Sequence, residues 1–266
     1  MHVPTGWPNG LTPLREAAAL PGGMVCRTLR GRLTDGRAVV VKYTPYPAAV
    51  EADGLRALSD AGVPVPAVLG VAQHTLVLEY RSGRPDWPAL GSAVARMHRF
   101  TGDAFGWHRD NRSGRFPQRN GRLDRWPKFY AERRVRVNLN DPSVPTDLAA
   151  RLQAACDGPL LELLPPSPEP VLTHGDLWAG NIVDGRWLID PEVSFADREL
   201  DLAYMEASGS LPPQFWTGYL DEYPLTAGYP ERRPALQLHH LLLQVRHFGA
   251  ERYRDRIEAV LDGYDW

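Results

Sequence analysis

Hydrophobic and polar positions follow two rhythms along this chain, and the rhythm changes once, near residue 80. Before that point β-branched runs alternate with turn residues. MVCRTLRGRL over 24–33 and AVVVKY over 38–43 flank TDGR, whose Asp35-Gly36 pair is a turn signal, so a β-hairpin ending at Lys42 is expected. Over 47–61, Val50, Leu55, Leu58 and Ala61 fall on a helical stripe, and VPVPAVLGV and TLVLEY then read as extended segments. After Arg81-Ser82-Gly83 the period becomes helical over 88–100, 126–138 and 146–156, the last with Thr146 placed to cap it. Residues 171–190 interrupt this run with VLTH, a polar glycine-containing loop and a second hairpin turning at Asp184-Gly185. Stripes at Leu236, His240, Leu243, His247 and at Tyr253, Ile257, Val260 return to helix. The pattern predicts an α+β fold of two lobes, β-rich over 1–82 and mainly helical over 83–266.

Composition narrows the functional classes. With 266 residues, 43% hydrophobic and 23% charged, the chain has the balance of a globular protein. A formal net charge of −2 provides no broad field for nucleic acid or an anionic membrane surface. No apolar run reaches membrane-spanning length and the start, MHVPTGWPNG, lacks the features of a secretory leader, so a cytoplasmic protein is expected. Cys26 and Cys156 lack metal-ligand spacing and read as plain thiols of a reducing compartment. Of the 30 basic residues only Lys42 and Lys128 are lysine. A lysine retained in so arginine-rich a chain points to a place where a compact charge is needed.

The chemistry concentrates in LTHGDLWAGNIVDGRWLIDPE, residues 172–192. Phosphoryl transfer from a nucleotide needs a carboxylate to orient and deprotonate the acceptor hydroxyl, and oxygen ligands for Mg²⁺ on the phosphates. Asp176 suits the first task; Asn181, five residues on, and Asp190, after the hairpin, suit the second. A strand lysine, a helix glutamate and a glycine-bearing loop are needed upstream, and Lys42, Glu51 and Gly22-Gly23 occur in that order. Leu78-Glu79-Tyr80 would form the hinge whose backbone meets the adenine. His174 has no nucleophile elbow beside it and is assigned to shaping the loop. His239, His240 and His247 lack a carboxylate or cysteine at ligand spacing and read as packed histidines.

HGDLWAGN, IDPE followed by DRELDLA, EADGLRAL, and FGWHRDNRSGRFPQRNGRLDRW together resemble the fructosamine kinase (ketosamine-3-kinase) family, in the aminoglycoside phosphotransferase-like branch of protein-kinase-like folds. The most specific stretches are Trp178 within HGDLWAGN and DNxxGxxPQxNG over 110–121. The resemblance implies ATP and Mg²⁺ as cofactors and transfer of the γ-phosphate to the 3-hydroxyl of a ketosamine, after which the adduct falls apart and frees the amine. By motif it implies Asp176 as base, Asn181 and Asp190 as Mg²⁺ ligands, and Lys42 with Glu51 as the phosphate-binding pair. The expected partner is a small-molecule or glycated-amine substrate, with no nucleic acid and no membrane.

Three positions depart from the family pattern: Glu192 where a small residue is usual, Arg112 where an aromatic or aliphatic one is, and Leu243-Gln244 in place of a polar pair. Glu192 and Arg112 keep open another small acceptor, such as an aminoglycoside or amino alcohol; a nucleotide-binding pseudo-enzyme is the reading from a different class, against which the base, both metal ligands and the phosphate lysine argue. Trp178 offers an indole face to a sugar ring. Glu192 is expected at the cleft floor, facing the acceptor's ammonium or Arg198. Arg112 belongs to a stretch with six arginines against Asp110 and Asp124, read as solvated, with selection of anionic acceptors as the sharper reading.

Overall fold

The computed structural model describes residues 6–21, 25–209 and 211–266. Five strands, β1 (Leu14–Ala19), β2 (Arg27–Leu33), β3 (Ala38–Tyr43), β4 (Val68–Val71) and β5 (Thr75–Glu79), form an antiparallel sheet in the order β1-β2-β3-β5-β4. The expected hairpin is β2–β3, closed by Gly36 at φ 94°, a value that favours glycine. Sequence reading missed β1, whose LREAAA lacks both alternation and β-branching; it is an almost wholly exposed edge strand. Helix α1 (Ala49–Asp60) crosses between β3 and β4 and lies on the inner face of the sheet.

The helical part opens with α2 (Trp87–Met97), capped by the Asp86 carboxylate, which accepts from Ala89 N–H at 3.3 Å. A short hairpin of β6 (Asn111–Ser113) and β7 (Phe116–Gln118) follows, where the sequence suggested only an irregular loop. The helix expected over 126–138 is present but interrupted: α3 (Trp126–Tyr130) and α4 (Arg136–Leu139) flank a π-turn at Ala131–Val135. That wide turn leaves the Arg134 carbonyl to side chains, and it accepts from Asn138 Nδ2 (2.6 Å) and His239 Nδ1 (2.9 Å). Helix α5 (Thr146–Asp157) begins at Thr146 itself. Pro145 occupies the cap position and the threonine makes no capping bond, because proline's fixed φ and absent N–H suit a helix start.

Helix α6 (Pro159–Leu163) leads to β8 (Val171–Thr173), the hairpin β9 (Ile182–Val183) and β10 (Trp187–Leu188), and β11 (Ser194–Ala196), which pairs with β8. The predicted Asp184-Gly185 turn is present, both residues with positive φ. Four helices complete the chain: α7 (Glu199–Ser208), α8 (Pro213–Glu222), α9 (Tyr229–Phe248) and α10 (Arg254–Gly263). No helix among the described residues is long and apolar enough to cross a membrane.

Packing places the site. One apolar cluster joins Leu76 and Leu78 of β5 with α1, α2, the 171–193 segment and α8, so a continuous core runs beneath the junction of sheet and helices. A second, built on α3, α5, α9 and α10, supports it from the far side. Helices α2 and α8 meet at glycines: a Cβ on Gly91 would lie 2.1 Å from the Phe215 carbonyl oxygen. Gly91→Ala is therefore expected to cost about 1–3 kcal/mol by overpacking, read from the urea midpoint. An unchanged midpoint would contradict this packing.

Candidate active site

The loop after β8 is held by one buried carboxylate. Asp201, on α7, accepts from the backbone N–H of His174 (2.7 Å) and Gly175 (2.9 Å) and from His98 Nε2 (3.2 Å). Burial raises its pKa, but these donors outweigh that effect and hold it below the ordinary value. His174 is fixed on both ring nitrogens: Nε2–H donates to the Ile189 carbonyl (3.1 Å) and Nδ1 accepts from Asp176 N–H (3.2 Å). It shapes the loop and is fully buried. Gly175 takes φ 85°, and a Cβ there would lie 2.4 Å from the Glu192 carbonyl oxygen, so both conformation and space require glycine.

This scaffold brings Asp176 and Asn181 together. Asn181 Nδ2 donates to the Asp176 carboxylate at 2.7 Å and to its carbonyl at 2.8 Å. Tyr204, on α7, gives the carboxylate a second hydrogen bond, and its ring stacks on His240 with centroids 3.7 Å apart. Burial raises Asp176 to about 6, against the pull of Asn181 and Tyr204 and with a further push from Asp190 and Asp201.

Lys42 forms the other half. Its ammonium lies 2.6 Å from Glu51 Oε1 and also contacts the Asp190 carboxylate. Burial would lower the lysine, yet the two carboxylates hold it protonated, well above its ordinary value. Asp190 is displaced downward because Lys42 more than offsets burial. It sits at φ 55°, unusual for an aspartate, with 39% of its side chain still open. Gly54 lets α1 approach this segment, since a Cβ there would be 3.0 Å from the Pro191 ring. A buried carboxylate, an adjacent carboxamide, and a second carboxylate tied to a buried lysine are the kinds of protein group that phosphoryl transfer uses.

The family model for fructosamine kinase matches residues 15–264. The chain belongs to the fructosamine kinase family. It is 35% identical over 214 residues to the probable ketoamine kinase YniA of Escherichia coli K12, covering 76% of this chain and 75% of that protein. It is 33% identical over 244 residues to the probable ketoamine kinase TTHA1179 of Thermus thermophilus, covering 88% and 89%. The crystal structure of a Thermobifida fusca protein provisionally named fructosamine-3-kinase superposes with TM-score 0.85 and 32% identity, covering 95% of this chain and 96% of that one. Amicoumacin kinase, at TM-score 0.63 and 17% identity, shares the fold. This member of the fructosamine kinase family is thus a kinase, with the two-lobe α+β architecture the sequence pattern predicts.

The family stretch DNxxGxxPQxNG is a buried amide network. Asn111 Nδ2 donates to the Val193 carbonyl (2.8 Å), while its Oδ1 accepts from Gln118 Nε2 (2.9 Å) and Asn120 Nδ2 (2.7 Å). Arg134, buried without a carboxylate partner, donates to Asn120 Oδ1 (2.8 Å) and Ser194 Oγ (3.0 Å). The β6–β7 hairpin is thereby fastened to the backbone just after Asp190. Sequence reading found neither this network nor the parts played by Asp201 and Tyr204. Asp201 lay inside the quoted DRELDLA, where four of seven residues are charged, so no local signal set it apart.

The remaining predicted residues fall around this centre. Glu192 is buried beside Gly175, and Gly114 N–H donates to its Oε1 at 3.2 Å. Burial pushes its carboxyl well up and Asp176 adds to that, against Ser113, Gly114 and Arg134. Arg198 is not its partner: that guanidinium donates to Tyr219, Tyr223, Pro224 and Thr226 and covers the Tyr223 ring at 3.6 Å. Arg112 is half-buried: its guanidinium lies over Tyr46, 4.8 Å from the ring centroid, and donates to the Arg115 carbonyl. Trp178 is 40% exposed, its indole folded over Gly180. Glu79 and Tyr80 end β5, with their N–H groups donated to Ala67 and Ala38 carbonyls at 2.9 and 3.1 Å. Gly22-Gly23 lies outside the described residues. His239 and His240 bond to the carbonyls of Arg134 and Gly175, and His247 packs on Phe116.

Removing the lysine alone leaves Glu51 buried against a second carboxylate. Lys42→Met is expected to lose about 3–5 kcal/mol, and Lys42→Met with Glu51→Gln distinctly less, by urea unfolding. Equal losses would show that the pair is not the source of the cost.

Proposed function

We propose that this kinase transfers the γ-phosphate of ATP to the 3-hydroxyl of a ketosamine, a fructosamine or ribulosamine, as a step that releases the glycated amine. The observation that carries this is the joint placement of Asp176, Asn181 and Asp190, with Lys42 and Glu51 behind them, in a chain whose ketoamine kinase relatives align over most of its length.

Asp176 orients the acceptor hydroxyl and accepts its proton as the oxygen bonds to phosphorus and the bond to ADP breaks. Asn181, whose Nδ2 is spent on Asp176, presents its carbonyl oxygen, and Asp190 presents a half-open carboxylate. These hard oxygens fit Mg²⁺, which is usually held by one or two protein ligands plus phosphate oxygens. When bound, the ion neutralises charge on the phosphates. Lys42 holds the α- and β-phosphates, oriented by Glu51. Residues 1–82 carry the nucleotide side and 83–266 the acceptor side, with Trp178 at the mouth to cover a sugar ring.

The direct test offers the protein ATP, Mg²⁺ and a panel of ribulosamines, fructosamines, aminoglycosides and amino alcohols, and locates the added phosphate by mass spectrometry and NMR. A 3-phosphorylated ketosamine is the expected product; turnover confined to another class overturns the acceptor. Asp176→Asn should keep ATP and Mg²⁺ binding while kcat falls on the order of 10²-fold or more. Asp190→Asn should weaken metal-dependent nucleotide binding as well as turnover. Near-normal turnover in Asp176→Asn removes the base from this scheme.

The raised pKa fixes a pH window. The base works as the carboxylate, so the rate is full above the folded pKa of about 6 and falls as pH drops through it. Tyr204 stabilises the carboxylate, so Tyr204→Phe should move this acid limb to higher pH. An unmoved limb in the pH–rate profile would separate Tyr204 from the base.

A further inference from the structure

Among the buried groups around Asp176, one carboxylate oxygen has no partner. Glu192 is 94% buried, its Oε1 accepts from Gly114 N–H, the Ser113 hydroxyl also lies against the carboxyl, and its Oε2 makes no hydrogen bond. No lysine or arginine among the described residues pairs with it; Arg198 is committed elsewhere, and Arg134 spends its guanidinium on Arg119, Asn120 and Ser194. A buried carboxylate oxygen without a donor is costly, and its presence calls for a donor that arrives from outside.

We infer that Glu192 is the acceptor's amine-binding residue, receiving the protonated nitrogen of the ketosamine. The assignment rests on the ketosamine reading above and extends it to the other end of the substrate. Glu192 is fixed alongside the catalytic loop: its N–H donates to the His174 carbonyl at 2.8 Å, and its backbone closes on Gly175, the residue before Asp176. In a ketosamine the reacting O3 and the amine nitrogen are separated only by C3, C2 and C1. With O3 on Asp176, the ammonium falls within reach of a group packed against the same loop. The nitrogen offers N–H and positive charge, which the orphan oxygen lacks, and charge-assisted bonds of this kind are the strong ones. The Gly114 bond holds the carboxylate in place from the β6–β7 hairpin, whose amide network is rigid, so the residue is oriented before the acceptor binds. Selection of amine-bearing acceptors follows, a finer discrimination than a small residue at this position can give.

The test compares a 1-alkylamino-1-deoxyfructose with its ether isostere, in which oxygen replaces the nitrogen, on the wild-type enzyme and Glu192→Gln. Glutamine keeps an oxygen for Gly114 and removes the charge. Wild type is expected to favour the amine by tenfold or more in kcat/KM, about the worth of one charge-assisted bond. Glu192→Gln should lose that preference, with KM for the amine rising by much more than KM for the ether. Equal loss on both sugars makes Glu192 a structural support of the hairpin and overturns the inference. So does a wild-type enzyme indifferent to the nitrogen, a result that does not depend on any variant folding. If wild type phosphorylates neither sugar, the ketosamine reading itself fails; calorimetric titration of the amine then decides the subsite, and equal affinity for wild type and Glu192→Gln overturns it.

Discussion

A buried carboxylate with no ion-pairing lysine or arginine depends on N–H groups, and among the described residues Asp201 is one that they fully serve. Three donors converge on it, two of them consecutive backbone amides of the loop after β8. Their convergence dictates the direction in which the chain leaves His174, and hence where Asp176 points. The same demand explains His98, which lies completely buried between Asp201 and the Tyr219 hydroxyl. With the loop anchored from below by α7, His174 can lock to Ile189, which places the residue before Asp190 relative to Asp176. Asp176 and Asp190 are thus placed by a third, fully buried carboxylate.

The second constraint comes from the sheet side. Lys42, Glu51 and Asp190 belong to β3, α1 and the segment after β10, so their contact fixes how the sheet meets the helical part. Glycine at 54 permits the approach, and Trp107 Nε1, bonded at 2.8 Å to Asp53 on the same helix, reinforces it. The Arg112 stack on Tyr46 adds a contact from the β6–β7 hairpin. An arginine-rich stretch that reads from sequence as a solvated face is in part this joint. Arg119, paired with Asp110 at 2.8 Å at the exposed surface, keeps the solvated character.

The legible parts of this protein were those whose chemistry is local. Asp-Gly pairs at 35–36 and 184–185 mark the two hairpins expected from sequence, with Gly36, Asp184 and Gly185 at φ > 0. HGDLWAGN and IDPE place their polar residues on one loop and one strand end, so their proximity follows from short separation along the chain. Lys42 and Glu51 were legible because a strand and the next helix bring them together. What stayed hidden depends on distant pairing. Asn111 acts through Val193, Arg134 through Asn120 and Ser194, and Tyr204 through Asp176, and no local pattern announces such contacts. The π-turn at 131–135 was invisible for a related reason: its shifted carbonyl is stabilised by Asn138 and by His239 from α9, and the sequence periodicity still fits a regular helix.

The identity of residue 42 follows from the same geometry. The chain uses arginine at 28 of its 30 basic positions, yet here it keeps lysine. The space is bordered by Leu76, the cross-strand partner of Lys42, and by α1, and the charge must meet Glu51 and Asp190 from different elements. A guanidinium is planar and presents its donors as a fork, which matches one carboxylate face-on. An ammonium is compact and directs its three donors apart, so it can serve two carboxylates and still turn one N–H toward a further acceptor. Phosphate oxygens of a nucleotide are acceptors of that kind. The lysine is therefore the one basic side chain that satisfies both buried partners without filling the cleft they border.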